Sequence, residues 1–173
     1  MEAYRLVRLL TVCTEKKDLH TGIMLHSEIL HRSGLFQNNP YVASALINMY
    51  AKCGDLEKAE GLHDELCFPS IASWNALLSS YTKHNQDHQA IRCLKKLQHE
   101  GLSFDAITSV CALKTCGSVR DIEHGKRIHV QIICRGLSEE KNAIVGTCLV
   151  DMYAKCGCLW RAQQIHDEIK TRD

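Results

Sequence analysis

Nowhere in the 173 residues do about 18 apolar residues follow one another, so no helix is expected to span a bilayer. Strict apolar–polar alternation is missing too, which argues against β-strands and for a chain that is almost wholly α. Charge of one sign is not in excess: 21 Lys and Arg against 20 Asp and Glu leave a formal +1. The strongly basic surface that would by itself announce phosphate binding is therefore absent. Proline is confined to Pro40 and Pro69. Hydrophobic residues, at 45%, are nonetheless plentiful enough to exclude a disordered chain.

What is present is a repetition. Tyr50-Ala51-Lys52-Cys53-Gly54 returns as Tyr153-Ala154-Lys155-Cys156-Gly157, and His63-Asp64-Glu65 as His166-Asp167-Glu168. Cys13, Asp18, Gly22 and His26 recur as Cys116, Asp121, Gly125 and His129, each pair 103 residues apart. Self-similarity at a fixed offset marks a repeat array and not a single globular core. The ten cysteines fall mostly at apolar helix positions or in the Lys-Cys-Gly turns, which fits small buried thiols in a reducing compartment. Arg5 and Arg8 give the first residues a superficial likeness to an organelle presequence. Met1–Cys13 stays in register with the copy that begins at Ala106, however, and is read as repeat. His63-Asp64-Glu65-Leu66 spells an endoplasmic-reticulum retrieval signal, but an internal one carries no address.

A shorter period lies inside the long one. Val42, Ala45, Leu46, Met49, Tyr50 and Cys53 share one helical face; Gly54 breaks the helix and Asp55 is placed to cap the next. Leu56, Ala59, Leu62 and Leu66 line that second helix, Pro69 stops it, and another begins near Ile71. Trp74, Leu77, Leu78 and Tyr81, then Ala90, Ile91, Leu94 and Leu97, repeat the plan on either side of Asn85 and Asp87, up to Gly101. The unit is a helical hairpin. Neither helix buries its stripe alone, and each Leu or Ile contributes roughly 1.5–3 kcal/mol only once a neighbouring hairpin covers it. The expected fold is all-α, a right-handed α-solenoid of stacked hairpins like the tetratricopeptide superhelix.

These strings resemble the pentatricopeptide repeat family of plants, in its variant with mixed repeat lengths. Leu46–Gly54 with His63–Leu66 is similar to the short repeat, and Ser73–Tyr81 to the ordinary 35-residue repeat. Leu113–Cys116 followed by Gly125–His129 is similar to the long repeat. The tetratricopeptide Trp…Leu-Gly…Tyr signature is missing. The parse is long (3–39), short (40–70), ordinary (71–105), long (106–142) and short (143–173), each long repeat being 37 residues. Cys158 stands where Asp55 caps the earlier copy, which should weaken that helix start by about 0.5–2 kcal/mol. The parse opens inside a repeat and shows no polar capping helix, leaving open a piece of a longer array or a short member with exposed ends.

The resemblance implies binding of single-stranded organellar RNA, one base per repeat, in a mitochondrion or chloroplast, supporting editing, processing or stability. It implies no catalysis, cofactor or metal of the chain's own, and protein partners that supply the catalyst in trans. By the same resemblance the fifth and last residues of each repeat select the base and the second packs on it. That assigns base recognition to Ser44 with Ser70, Asn75 with Asp105, and Thr147 with Asp173, and base packing to Tyr41, Ala72, Ile107 and Ile144. Second and fifth residues lie three apart on one helical edge, away from the stripe of Leu77, Leu78 and Tyr81. An ionised Asp only accepts hydrogen bonds and so favours bases with a ring N–H. Asn75 with Asp105 matches the family's uracil pair and Thr147 with Asp173 its guanine pair, whereas Ser44 with Ser70 is ambiguous between bases, with a lean toward purines. Val7 with Asn39 and Val110 with Asn142 leave the long repeats unread.

Competing chemistries fall away residue by residue. Cys148, Cys156, Cys158 and His166 lack the second Cys-x-x-Cys of a zinc site, and His84 and His88 straddle a turn without an intervening Glu. His26-Ser27-Glu28 has the His-x-Glu of a zinc deaminase, but neither proline is followed by Cys. Tyr50, Trp74, Met152 and Tyr153 are expected in the core, and Lys52 and Lys155 at the hairpin turns. The other class of function that fits is a protein-interaction array binding a peptide or a second repeat array; a degenerate fragment without function is the third.

Overall fold

In a computed structural model, the structure describes residues 2–31, 39–136 and 143–170. These form ten α-helices, with no strand among the described residues. They are α1 (Glu2–Lys16), α2 (Leu19–His31), α3 (Pro40–Cys53), α4 (Leu56–Asp64), α5 (Ile71–Lys83), α6 (Asp87–His99), α7 (Ala106–Val119), α8 (Ile122–Cys134), α9 (Ala143–Lys155) and α10 (Leu159–Lys170). The chain divides into two compact units, Met1–Tyr81 and Thr82–Asp173. The expected all-α array of helical hairpins is what forms.

Local chemistry sets the helix ends. Asn39 Oδ1 accepts the N–H groups of Tyr41 and Val42 at 3.1 and 3.2 Å, and Pro40 occupies the first turn of α3. Three of the second helices start on an aspartate: Asp18, Asp55 and Asp121 each accept, at 3.0 Å, the N–H three residues on, whereas Gln86 before α6 makes no side-chain cap. At α10 the cysteine in that place, Cys158, supplies only its carbonyl, to the N–H groups of Arg161 and Ala162 at 3.1 Å. Every hairpin turns through one left-handed residue in the same place. It is Gly54 and Gly157 in two of the hairpins but Lys17, Asn85 and Arg120 in the others, the latter three with φ of 54–56°. The latter three carry the steric cost of a Cβ in that region, which periodicity alone did not reveal.

In the first unit α1 packs on α2 and α3, and α3 on α2 and α4. Leu10, Leu46, Ile47 and Met49 are fully buried there. A buried hydrogen bond of 2.8 Å joins His26 Nδ1 on α2 to the Tyr50 hydroxyl on α3, with the rings edge-on. His63 on α4 packs its ring 4.1 Å from that of Trp74 on α5. The second unit repeats the scheme: α7 packs on α6, α8 and α9, and α9 on α8 and α10. There His129 Nδ1 meets the Tyr153 hydroxyl at 2.9 Å. In both units a glycine on the earlier second helix, Gly22 or Gly125, makes room for a methionine of the next first helix, Met49 or Met152. Tyr50, Trp74, Met152 and Tyr153 are buried as expected.

Candidate nucleic-acid interface

First helices α3, α5, α7 and α9 each bury a broad stripe of residues, yet each leaves its second residue in water. Tyr41 is 78% exposed, Ile144 66% and Ile107 57%; Ala72 is exposed as well. Three large apolar side chains are thus left uncovered at one equivalent place while the helices that carry them are otherwise packed. Tyr4, which the 103-residue offset aligns with Ile107, is 71% exposed in the same way. It was not singled out from the sequence, although the repeat register alone points to it.

Fifth residues differ among themselves. Thr147 is exposed and directs its hydroxyl to the Ala143 carbonyl at 2.8 Å. Ser44, Val7 and Val110 are half-buried. Asn75 is buried, at 7% exposure, in a helix that buries Ser73 through Leu78 together with Ser80 and Tyr81. Three-residue spacing therefore does not give every fifth residue the same openness as its second. α5 buries more of its residues than α3 or α9 does, and its fifth position is among them.

Last residues carry a duty that the sequence reading gave only to base recognition. Asp105 Oδ1 accepts the Thr108 N–H at 2.8 Å and its hydroxyl at 2.9 Å, capping α7. Ser70 Oγ accepts the Ser73 N–H at 3.2 Å at the start of α5, and Asn39 caps α3. Asp, Ser and Asn are the preferred N-cap residues for this reason. Ser70 Oγ also lies 2.9 Å from Ser44 Oγ, so the fifth and last residues of that repeat do come together. Asn142 and Asp173 lie outside the described residues.

Two surface lysines are paired locally. Lys155 Nζ meets Asp151 at 2.7 Å, and Lys126 meets Glu123 at 3.0 Å. Such exposed pairs contribute little to stability, but they blunt the cations' attraction for phosphate. None of the ten cysteines forms a disulfide. Burial pushes Cys111 up to about 11 and Cys116 up to about 12, so neither is a ready nucleophile. Cys67 and Cys134 depart from the buried pattern and are exposed. Among the described residues no three His, Cys, Asp or Glu side chains are grouped to hold a metal ion.

The profile of the PPR repeat family matches residues 41–67, 72–102 and 147–173. The chain carries pentatricopeptide repeats. Each matched segment begins in a first helix and runs into the second, so these repeats coincide with the hairpins. The chain is 33% identical over 170 residues to pentatricopeptide repeat-containing protein At1g11290, chloroplastic, of Arabidopsis thaliana. It is 29% identical over 169 residues to At3g09040, mitochondrial, of the same plant. Either match takes in 98% of this chain, but only 20% and 16% of those relatives' lengths. The crystal structure of the pentatricopeptide repeat protein PPR10 from maize superposes with a TM-score of 0.67 at 20% identity, over 96% of this chain and 24% of that one. That likeness establishes the shared fold.

Proposed function

We propose that the chain is a non-catalytic module that binds single-stranded organellar RNA with base selectivity, within a plant array of long, short and ordinary repeats (3–39, 40–70, 71–105, 106–142 and 143–173). The observation that carries this reading is the equivalent exposure of Tyr41, Ile107 and Ile144 at the second place of first helices. An uncovered apolar side chain per repeat is a surface on which a base can rest, and base–aromatic stacking is worth about 1–3 kcal/mol. Relatives bearing mitochondrial and chloroplastic names support the organellar setting. Editing, processing or stabilisation of a transcript would follow from occupying a site, with any catalyst brought by a protein partner in trans.

Base choice is assigned by register. Asn75 with Asp105 takes uracil, Thr147 with Asp173 takes guanine, and Tyr41, Ala72, Ile107 and Ile144 pack on the bases. Asn75, though mostly enclosed, offers both a donor and an acceptor. Titration with short single-stranded RNAs differing only at the uracil, at two salt concentrations, tests the reading. Selective binding with a shallow salt slope is expected from a chain of net charge +1. Asn75→Ser should move preference at that base from uracil toward guanine. Unchanged preference would refute the register, and base-indifferent, steeply salt-dependent binding would leave phosphate attraction alone. A protein-interaction array is the second reading, favoured by the same near-neutral charge and by Phe68, which is 91% exposed.

A further inference from the structure

We infer that the Ser44–Ser70 pair is a non-selective position: it holds a base without choosing it, and so spaces the selective positions. The inference rests on the RNA-binding reading above and narrows it, replacing the purine leaning given by residue type.

The argument is one of hydrogen-bond capacity. Two hydroxyls offer two protons and four lone pairs. The 2.9 Å contact between Ser44 Oγ and Ser70 Oγ uses one proton and one lone pair. The Ser73 N–H, 3.2 Å away, uses another lone pair of Ser70 Oγ. Ser73 in turn directs its own hydroxyl to the Ser70 carbonyl at 2.8 Å, which holds the capping turn in place. What remains is one hydroxyl proton and two lone pairs, distributed over the two oxygens by whichever serine donates. Such a group donates to a carbonyl or ring nitrogen and accepts from an amino or ring N–H with equal ease, so all four bases find a partner. Neither side chain carries a charge to break that symmetry. Discrimination requires a site whose buried polar groups are left unpaired by the wrong ligand; here the two serines satisfy each other.

The same fold shows how selectivity could be installed. Asp105 occupies the equivalent last position and caps its helix with one carboxylate oxygen, so an aspartate at position 70 is compatible with the cap. The experiment uses the whole chain and four RNAs carrying the uracil and guanine assigned above, with A, C, G or U at the base next to the uracil. For the unsubstituted chain the four affinities should agree within about twofold, less than one net hydrogen bond is worth. Ser70→Asp should favour G and U over A and C at that base by about fivefold or more, as one added charge-assisted bond predicts. Circular dichroism of Ser70→Asp, and of Ser70→Asn as a second cap-preserving variant, confirms folding.

A greater than fivefold preference in the unsubstituted chain would overturn the inference, because the serine pair must then open and read. Equal binding of all four RNAs by a folded Ser70→Asp chain that keeps its uracil preference would overturn it as well. Loss of uracil preference in every chain, or no RNA binding, is instead the failure of the underlying reading, and removes the inference with it.

Discussion

Gly125 on α8 gives the sharpest test of how the hairpins are held together. A Cβ added there would lie 2.5 Å from Met152 Sδ and 2.9 Å from its Cε, closer than real contacts allow. Met152 is fully buried, so its thioether has little room to withdraw. Two effects oppose each other in Gly125→Ala. Removing a mid-helix glycine stabilises by about 0.5–1 kcal/mol. Overpacking a filled site costs about 1–3 kcal/mol. The flexible end of a methionine gives more easily than backbone does, which places the net effect near 1 kcal/mol of destabilisation. Gly61→Ala on α4 isolates the first effect, because a Cβ there meets nothing within 4 Å; it should stabilise by about 0.5–1 kcal/mol. Urea unfolding followed by far-ultraviolet circular dichroism reads both. With slopes of about 1–3 kcal/mol per molar urea, the midpoints should move in opposite directions by some tenths of a molar. In the Gly125→Ala background Met152→Ala should cost less than it does alone, since the pair is coupled. Equal stabilisation by Gly125→Ala and Gly61→Ala would refute the socket.

Three further outcomes follow from the same packing. Burial first, and the nearby Lys58 charge second, hold the His26 imidazole below its ordinary 6.5, against the opposing pull of Glu65. The unfolded chain therefore takes up a proton that the folded chain resists, and stability falls as pH drops through and below about 6.5. The urea midpoint should be lower at about pH 5.5 than at about 7.5, and His26→Gln should shrink that difference; an undiminished difference would exclude His26 as its source. Cys158→Asp should supply the cap that α10 lacks and raise stability by about 0.5–2 kcal/mol in thermal unfolding, with no gain counting against the capping argument. Tyr153→Phe removes the hydroxyl that His129 meets at 2.9 Å and should cost about 0.5–1.5 kcal/mol in urea unfolding, the net worth of one buried hydrogen bond.

Much of the candidate site was legible in the sequence because it follows from register. Once repeats were aligned, Tyr41, Ile107 and Ile144 fell at one place, and all three are exposed. Register could not say how deeply each helix is enclosed. Asn75 sits in the same place as Thr147, yet one is buried and the other open. Nor could it separate two uses of one residue type: an Asp, Ser or Asn at the end of a repeat suits a base, and equally caps the helix that follows.

By itself the sequence determined the helices, their order and their turns. A helix is written in bonds four residues apart and a three-four apolar spacing, and Gly54, Asp55 and Pro69 act within that reach. Only tertiary structure decided what meets across hairpins: His26 with Tyr50, Ser44 with Ser70, Gly22 beneath Met49. Those partners stand 24 to 27 residues apart, on different helices or, for Ser70, at the cap of the next one. Their meeting depends on how buried stripes interlock side by side, and no local pattern encodes that fit.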